Sequence, residues 1–236
     1  MSYYVKYEDI GLKDYKETWD YQEKIFQKLV ENKKRNDAVK SGSGEGIHGT
    51  LIFVEHPHVY TLGKNGSENN LSLNHIQLQA KEAKFYRINR GGDITYHGPG
   101  QIVGYPIFDL DAIEISLKDY IHLLEEAVIR TISGFNLKGG RLEGASGVWL
   151  DPEKAGSARK ICAIGVRASR YVTMHGFAFN VNTDLDYFKH INPCGFTDKG
   201  VTSLEKELGE KQNFDKVKKA LRKNLQKVFD LQWINS

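Results

Sequence analysis

The sequence predicts a mixed α/β fold. Three observations carry that prediction: some segments repeat apolar residues at helical spacing, others are short β-branched and aromatic runs joined as hairpins, and the two kinds are interspersed without strict strand-helix-strand repetition. The 236 residues can bury a sizeable core and fit one domain, 1–236, with a basic amphipathic helix and tail over 212–236. With 40% hydrophobic and 27% charged residues the chain is neither disordered nor fibrous.

Asp14 to Asn32 reads as the first helix, because Tyr15, Trp19, Gln22, Phe26 and Leu29 fall on one face and Ile25 and Val30 widen it. Residues 33–46, polar and glycine-rich from Lys33 to Gly46, read as a mobile surface loop. Thr50 to Val54 is a buried-strand signal, and His56-Pro57-His58 turns the chain into a second strand at Val59 to Leu62. No third ligand accompanies those two histidines at sensible spacing, so no metal site is expected. After a polar loop from Gly63 to Asn70, a short helix is expected from Asn74 to Ala83 and a strand from Lys84 to Asn89.

The stretch from Arg90 to Gln101 follows, with four glycines and a proline among Arg90, Asp93, Thr95, Tyr96 and His97. Such glycine density suits a loop whose backbone must approach something closely, and the cation, hydroxyls and imidazole exceed what a turn needs. Ile102 to Phe108 is the next strand. Ser116 caps a helix that carries Leu117, Tyr120, Ile121, Leu124, Val128 and Ile132 to Gly134. Gly139 to Gly147 reads as turns, and Val148 to Leu150, Lys160 to Val166 and Val172 to Val181 as hairpin strands. A short helix after Asn182 should point Phe188 and Ile191 inward. Two helices complete the reading, Ser203 to Leu208 and Phe214 to Phe229, the latter with Lys216, Lys219, Arg222, Lys223 and Lys227 off its apolar face as a solvated basic surface.

The net charge of +3 is too small to imply a nucleic-acid partner. No segment approaches the roughly 20 apolar residues that span a bilayer, and the opening residues lack the apolar core of a signal peptide, so a cytoplasmic protein with no membrane partner is expected. In a reducing compartment the two cysteines, Cys162 and Cys194, are expected as thiols. Cys194, between Pro193 and Gly195, sits where the chain turns and is the candidate nucleophile; Cys162 alternates within an apolar strand and reads as core. A thiol of ordinary pKa, about 8.5, needs a neighbouring cation or base to react as thiolate at neutral pH. Lys160, opening an apolar strand, can serve in either form, and His97 and His175 are alternative bases.

Four blocks in order carry a resemblance. Arg90-Gly91-Gly92 with Thr95-Tyr96-His97, Gly100-Gln101 and Tyr105, then Lys160 to Gly165, His175 to Val181, and Ile191-Asn192-Pro193-Cys194-Gly195, resemble the signature of the lipoyl(octanoyl) transferases over about residues 5–210. The resemblance implies an α/β fold of the α+β type, a mixed, mostly antiparallel sheet flanked by helices, as in biotin and lipoate protein ligases. It implies transfer of an octanoyl group from octanoyl-acyl carrier protein to a lysine of apo lipoyl domains, those of 2-oxoacid dehydrogenase acyltransferase subunits and the glycine-cleavage H protein. By similarity Cys194 is the acyl-thioester nucleophile and Lys160 lowers its pKa. Arg90, Gly91, Gly92, Asp93, Ile94, Thr95, Tyr96 and His97, with Ala163, Ile164, Gly165, Gly176, Phe177 and Ala178, line the acyl substrate; His175 and Tyr105 support it. No metal or cofactor is implied, and a monomer is expected. The competing readings are an ATP-dependent lipoate or biotin ligase, which needs no Pro-Cys-Gly block, and a non-catalytic acyl-binding module.

Overall fold

A computed structural model describes residues 3–39, 47–154, 156–192 and 199–234. In chain order these form β1 (Tyr3–Leu12), α1 (Tyr15–Val39), β2 (Gly49–Glu55), β3 (Val59–Leu62), α2 (His75–Ala80), β4 (Lys84–Arg87), β5 (Ile94–His97) and β6 (Gln101–Phe108). Then come α3 (Leu117–Ser133), β7 (Gly139–Leu142), β8 (Ala145–Leu150), β9 (Arg159–Ser169), β10 (Val172–Asn180), β11 (Gly200–Val201), α4 (Leu204–Leu208), α5 (Phe214–Val228) and β12 (Leu231–Ile234). One sheet runs β12-β1-β2-β6-β10-β9-β8-β7 with β11 beside β9, and a second runs β4-β3-β5. Pairing is parallel for β1 with β12 and β2, β9 with β11 and β3 with β4, and antiparallel elsewhere, so the sheet is mixed and mostly antiparallel as expected.

Strand alternation divides the core. On one face Leu51, Phe53, Ile102, Phe177 and Phe179 meet the apolar stripes of α3 (Tyr120, Leu124, Val128, Ile132) and α5 (Val217, Leu221, Leu225). On the other, Ile52, Val54, Val103, Tyr105, Ile107 and Met174 meet Phe26 and Val30 of α1. With helices on both sides, β2, β6 and β10 have no solvated face, which is why they read as unbroken apolar runs. Ser116 caps α3 as expected, its hydroxyl accepting from the Asp119 N–H at 3.1 Å.

Four expectations change. Helix α1 continues through the basic run to Val39, where Lys33, expected in a loop, pairs with Asp109 at 2.7 Å and with Asp111. Strands β1 and β12 were not anticipated: their pairing is parallel and non-local, and only Val5 of β1 is buried. Part of the glycine-rich stretch is strand, because β5 pairs antiparallel with β3. The turn-rich Gly139 to Gly147 is mostly the β7–β8 hairpin. Phe188 and Ile191 do turn inward, as half-buried neighbours of Tyr60, Ala83 and Tyr96 beside a 3-10 turn at Leu185–His190.

At the centre, a Cβ on Gly176 of β10 would stand 2.2 Å from the Gly104 carbonyl oxygen of β6 and 2.6 Å from Pro106 Cδ. The close approach of these two strands therefore requires glycine. Gly176→Ala should destabilise the protein by about 2 kcal/mol or more, because the clash is with backbone that cannot rotate away. Urea unfolding at neutral pH measures this, and an unchanged midpoint would show that the strands have room.

Candidate functional site

A cavity of about 970 Å³ opens over β9 and β10. Its walls bring together Arg90, Gly91, Gly92, Asp93, Ile94, Thr95 and His97 with Ala163, Ile164 and Gly165 of β9 and Gly176, Phe177 and Ala178 of β10. Gly165 faces Gly176 and Ala163 faces Ala178 across the ladder, so small residues form a shallow floor. Trp149, Ala145 and Ser146 of the β8 side and Lys160 form another wall, and the exposed end carries Asp186, Lys189 and Lys206.

The glycine-rich stretch is held from three directions. Buried Arg90 donates from Nη2 to the Thr61 carbonyl oxygen (2.7 Å) and Oγ1 (3.1 Å), and from Nη1 to the Gly91 carbonyl (3.0 Å). The backbone N–H groups of Gly63, Lys64 and Asn65 donate to the carbonyls of Asp93, Arg90 and Gly92, while Gly91 N–H donates to Val166 of β9 at 2.9 Å. The Asp93 carboxylate accepts from Asn70 Nδ2 at 2.7 Å and from the Ile94 N–H at 2.6 Å. A Cβ on Gly165 would lie 3.1 Å from both Arg90 Cδ and the Gly91 oxygen, so glycine there admits the arginine against β9.

A directed hydrogen-bond chain leaves this knot. Thr61 Oγ1, already accepting from Arg90, stands 3.5 Å from His97 Nε2; His97 Nδ1 is 2.8 Å from Gln101 Oε1; Gln101 Nε2 donates to Asn180 Oδ1 at 2.8 Å, and Asn180 Nδ2 to the Thr202 carbonyl at 3.0 Å. Because Gln101 Oε1 can only accept, the network assigns the His97 proton to Nδ1 and leaves Nε2 as the acceptor. Burial, reinforced by His56 and Arg90, pushes His97 down to about 3. His56, bonded to the Lys13 carbonyl and the Tyr105 hydroxyl, both at 2.8 Å, is pushed down to about 4, also by burial. His175 sits in the left-handed region at φ +61° with Nε2 2.8 Å from Asn89 Oδ1, and burial and Arg90 lower it to about 3. All three are neutral at pH 7, so His97 and His175 enter the site as hydrogen-bonding groups.

Tyr96 alternates to the other side of β5, where its hydroxyl meets His58 Nδ1 at 2.7 Å and its ring stacks on Tyr187 at 4.8 Å; it is outside the cavity lining. Tyr105 lines the cavity and donates to His56, and burial raises its phenol well above its ordinary value. Lys160 lies half-buried in the wall with Nζ 4.6 Å from the centre of the Trp149 ring. Cys162 is fully buried in β9, its thiol pushed up by desolvation, which makes it a core residue as its alternation implied. Cys194 falls in 193–198, outside the described residues, but Asn192 and Lys199 on either side both line the cavity. Sequence reasoning gave no role to Thr61, Trp149 or Asn180. Thr61 meets Arg90 from β3, Trp149 meets Lys160 through the β8–β9 pairing and Asn180 meets Gln101 through the β10–β6 pairing, so each role depends on which strands become neighbours. No cluster of metal-ligating side chains occurs among the described residues.

Residues 14–226 match the lipoyl protein ligase A/B catalytic domain. The chain is 55% identical over 233 residues to a protein of Christiangramia forsetii named octanoyltransferase, covering 98% of each. It is 54% identical over 224 residues to the octanoyltransferase of Parabacteroides distasonis, covering 95% of this chain and 98% of that one. Among solved structures, lipoate-protein ligase A bound with ATP has a TM-score of 0.74 at 15% identity, covering all of this chain and 89% of the other, a likeness of fold.

The buried histidines set an acid limit on stability. Each has a folded pKa below its ordinary 6.5, so the unfolded chain binds more protons between that value and about 3 to 4. Their contribution is complete above about pH 6.5 and is lost as pH falls, by roughly 2 kcal/mol per histidine on reaching pH 5. Urea midpoints measured at intervals from neutral pH to pH 5 should fall accordingly; a flat profile would mean that these imidazoles are not held neutral.

Proposed function

The chain belongs to the lipoyl protein ligase A/B catalytic-domain family, and on that premise we propose that it is an octanoyltransferase, an acyltransferase that moves an octanoyl group onto a lysine of lipoyl domains for protein lipoylation. The observation that carries this reading is a chain more than half identical to octanoyltransferases in which Lys160 opens onto a cavity walled by glycines and small apolar side chains. The donor is octanoyl-acyl carrier protein, and the acceptors are the apo lipoyl domains of 2-oxoacid dehydrogenase acyltransferase subunits and of the glycine-cleavage H protein. The enzyme acts as a single catalytic domain and a monomer in the cytoplasm, without cofactor.

Cys194 is the nucleophile. Its thiolate attacks the carbonyl carbon of the donor thioester, and the carrier thiolate leaves and takes up a proton. One thioester replaces another, so the exchange is close to energy-neutral and needs no ATP. The acceptor lysine, as free amine, then attacks the acyl-enzyme; the Cys194 thiolate leaves, the amine nitrogen loses a proton, and a stable amide results. The Lys160 ammonium stabilises the thiolate in both halves. Backbone N–H groups of the glycine-rich walls are suited to the oxyanion of each tetrahedral intermediate, at about 3 kcal/mol per donor. Arg90, Gly91 to Thr95 and His97, with Ala163 to Gly165 and Gly176 to Ala178, hold the acyl chain. His175 and Tyr105 support that wall from within the lining, and Tyr96 lies behind it.

Two measurements test the reading. Incubation with octanoyl-acyl carrier protein and no ATP should leave one hydroxylamine-labile octanoyl group on the enzyme, on the Cys194 peptide, and Cys194→Ala should abolish it; an ATP requirement, or unimpaired transfer by the alanine variant, would falsify the thioester route. Lys160→Ala should lower transfer by at least tenfold at neutral pH and move thiol alkylation to higher pH, since a thiolate without its cation costs more to form.

A further inference from the structure

We propose that Trp149 is a positioning residue: its ring face carries the Lys160 ammonium, keeps that lysine charged and aims it into the cavity. The proposal rests on the role just given to Lys160. Trp149 of β8 and Lys160 of β9 are registered partners, with an irregularity in the ladder between Val148 and Trp149, and Nζ stands 4.6 Å from the centre of the ring. Both residues line the cavity. A lysine that exchanges water for a cavity wall loses hydration of its charged form, and the negative face of an indole restores part of it.

The lysine shares the cavity with other charged groups. Around the cavity stand Arg90, Lys189, Lys199 and Lys206 against the carboxylates Asp93 and Asp186, so among the described residues the lining is net cationic even without Lys160. Asp186 is engaged by Lys189 at 2.6 Å and Asp93 by Asn70 at 2.7 Å. From α3, Glu125 reaches the β7–β8 hairpin, where its carboxylate accepts from the Gly147 N–H at 2.9 Å and from Arg141 Nε at 3.0 Å. The cavity histidines are neutral, as are Tyr15 and Tyr105, whose phenols burial raises. Within that lining the indole face is a fixed contact of the Lys160 ammonium and favours its charged form.

The ring is itself fixed. Trp149 is buried, and its Nε1 donates to the Ala145 carbonyl at 3.0 Å, closing the start of β8. Glu125, by accepting from Gly147 and Arg141, ties the same hairpin to α3. Gly147 completes the arrangement, since a Cβ there would lie 2.4 Å from the Cys162 carbonyl and 3.5 Å from Lys160 Cε. Ring, lysine stem and hairpin backbone thus form one assembly.

The test changes the ring face without changing its shape. Trp149 alone is replaced, by site-specific incorporation, with mono-, di- and trifluorotryptophan, which keep the N–H and the bulk while draining the face of electron density; Trp149→Phe and Trp149→Leu complete the series. The readout is the pH at which Lys160 becomes acylable by acetic anhydride, followed on its own peptide by mass spectrometry with exposed Lys118 as internal standard. The basic limb of kcat/KM for octanoyl transfer is measured alongside. Both should move to lower pH stepwise with fluorine number, with Trp149→Phe intermediate and Trp149→Leu displaced by roughly half a pH unit or more, while the thermal midpoints of the fluorinated proteins stay level. A Lys160 labelling profile indifferent to fluorination overturns the proposal. Lys160→Ala separates the two readings: if it leaves octanoyl transfer unchanged, the role of Lys160 fails, whereas the labelling series alone decides the ring contact.

Discussion

Arg90 brings a permanent charge into the interior, and the architecture around the cavity follows from the need to satisfy it. An isolated guanidinium taken from water would cost several kcal/mol. Here the Thr61 and Gly91 carbonyls and the Thr61 hydroxyl accept from it, and glycine at 165 lets it lie against β9. Turning carbonyls inward is what the glycine-rich backbone makes possible. The same charge also works on its neighbours, helping to keep His97 and His175 neutral, so the site has one fixed cation and several neutral polar groups at its inner end.

The rest of the site is order built on small residues. Ala163, Gly165, Gly176 and Ala178 face one another across β9 and β10, and the cavity exists because nothing larger stands there. The hydrogen-bond chain from Thr61 through His97, Gln101 and Asn180 to Thr202 links the glycine-rich stretch to the segment after β11, where Thr202 N–H returns to the Lys160 carbonyl at 3.0 Å. The glycine-rich wall of the cavity and the strand that carries Lys160 are therefore coupled through uncharged groups. Such a coupling keeps its geometry when salt changes, which an ion-pair network would not do as well.

Much of the fold was legible because its signals are local. The stripes of α3 and α5, the cap at Ser116 and the buried runs of β2, β6 and β10 all announce themselves within a few residues. Strand β5 was hidden by the glycines around it, since its evidence is the partner strand β3, and β1 alternated too weakly to be read beside a parallel neighbour. The cavity residues were legible as blocks, but which side of the backbone each would take was not. Tyr96 and His97 are adjacent, yet only His97 faces the cavity. Lys33 shows the opposite limit: a basic run looks solvated until Asp109 and Asp111, far along the chain, come to meet it.

The pairing of β1 with β12 joins the two ends of the described chain inside one sheet. β1 precedes β12 by most of the described chain, and among the described residues its outer edge is paired by Leu231–Ile234 alone. Closure of a loop that spans the whole domain is the entropically slow part of assembly. The nascent protein can thus build the β6-β10-β9 centre while one edge remains unpaired. The charged residues of β1, Lys6, Glu8 and Asp9 among its tyrosines, suit a strand that must wait in water without recruiting a neighbour of its own kind.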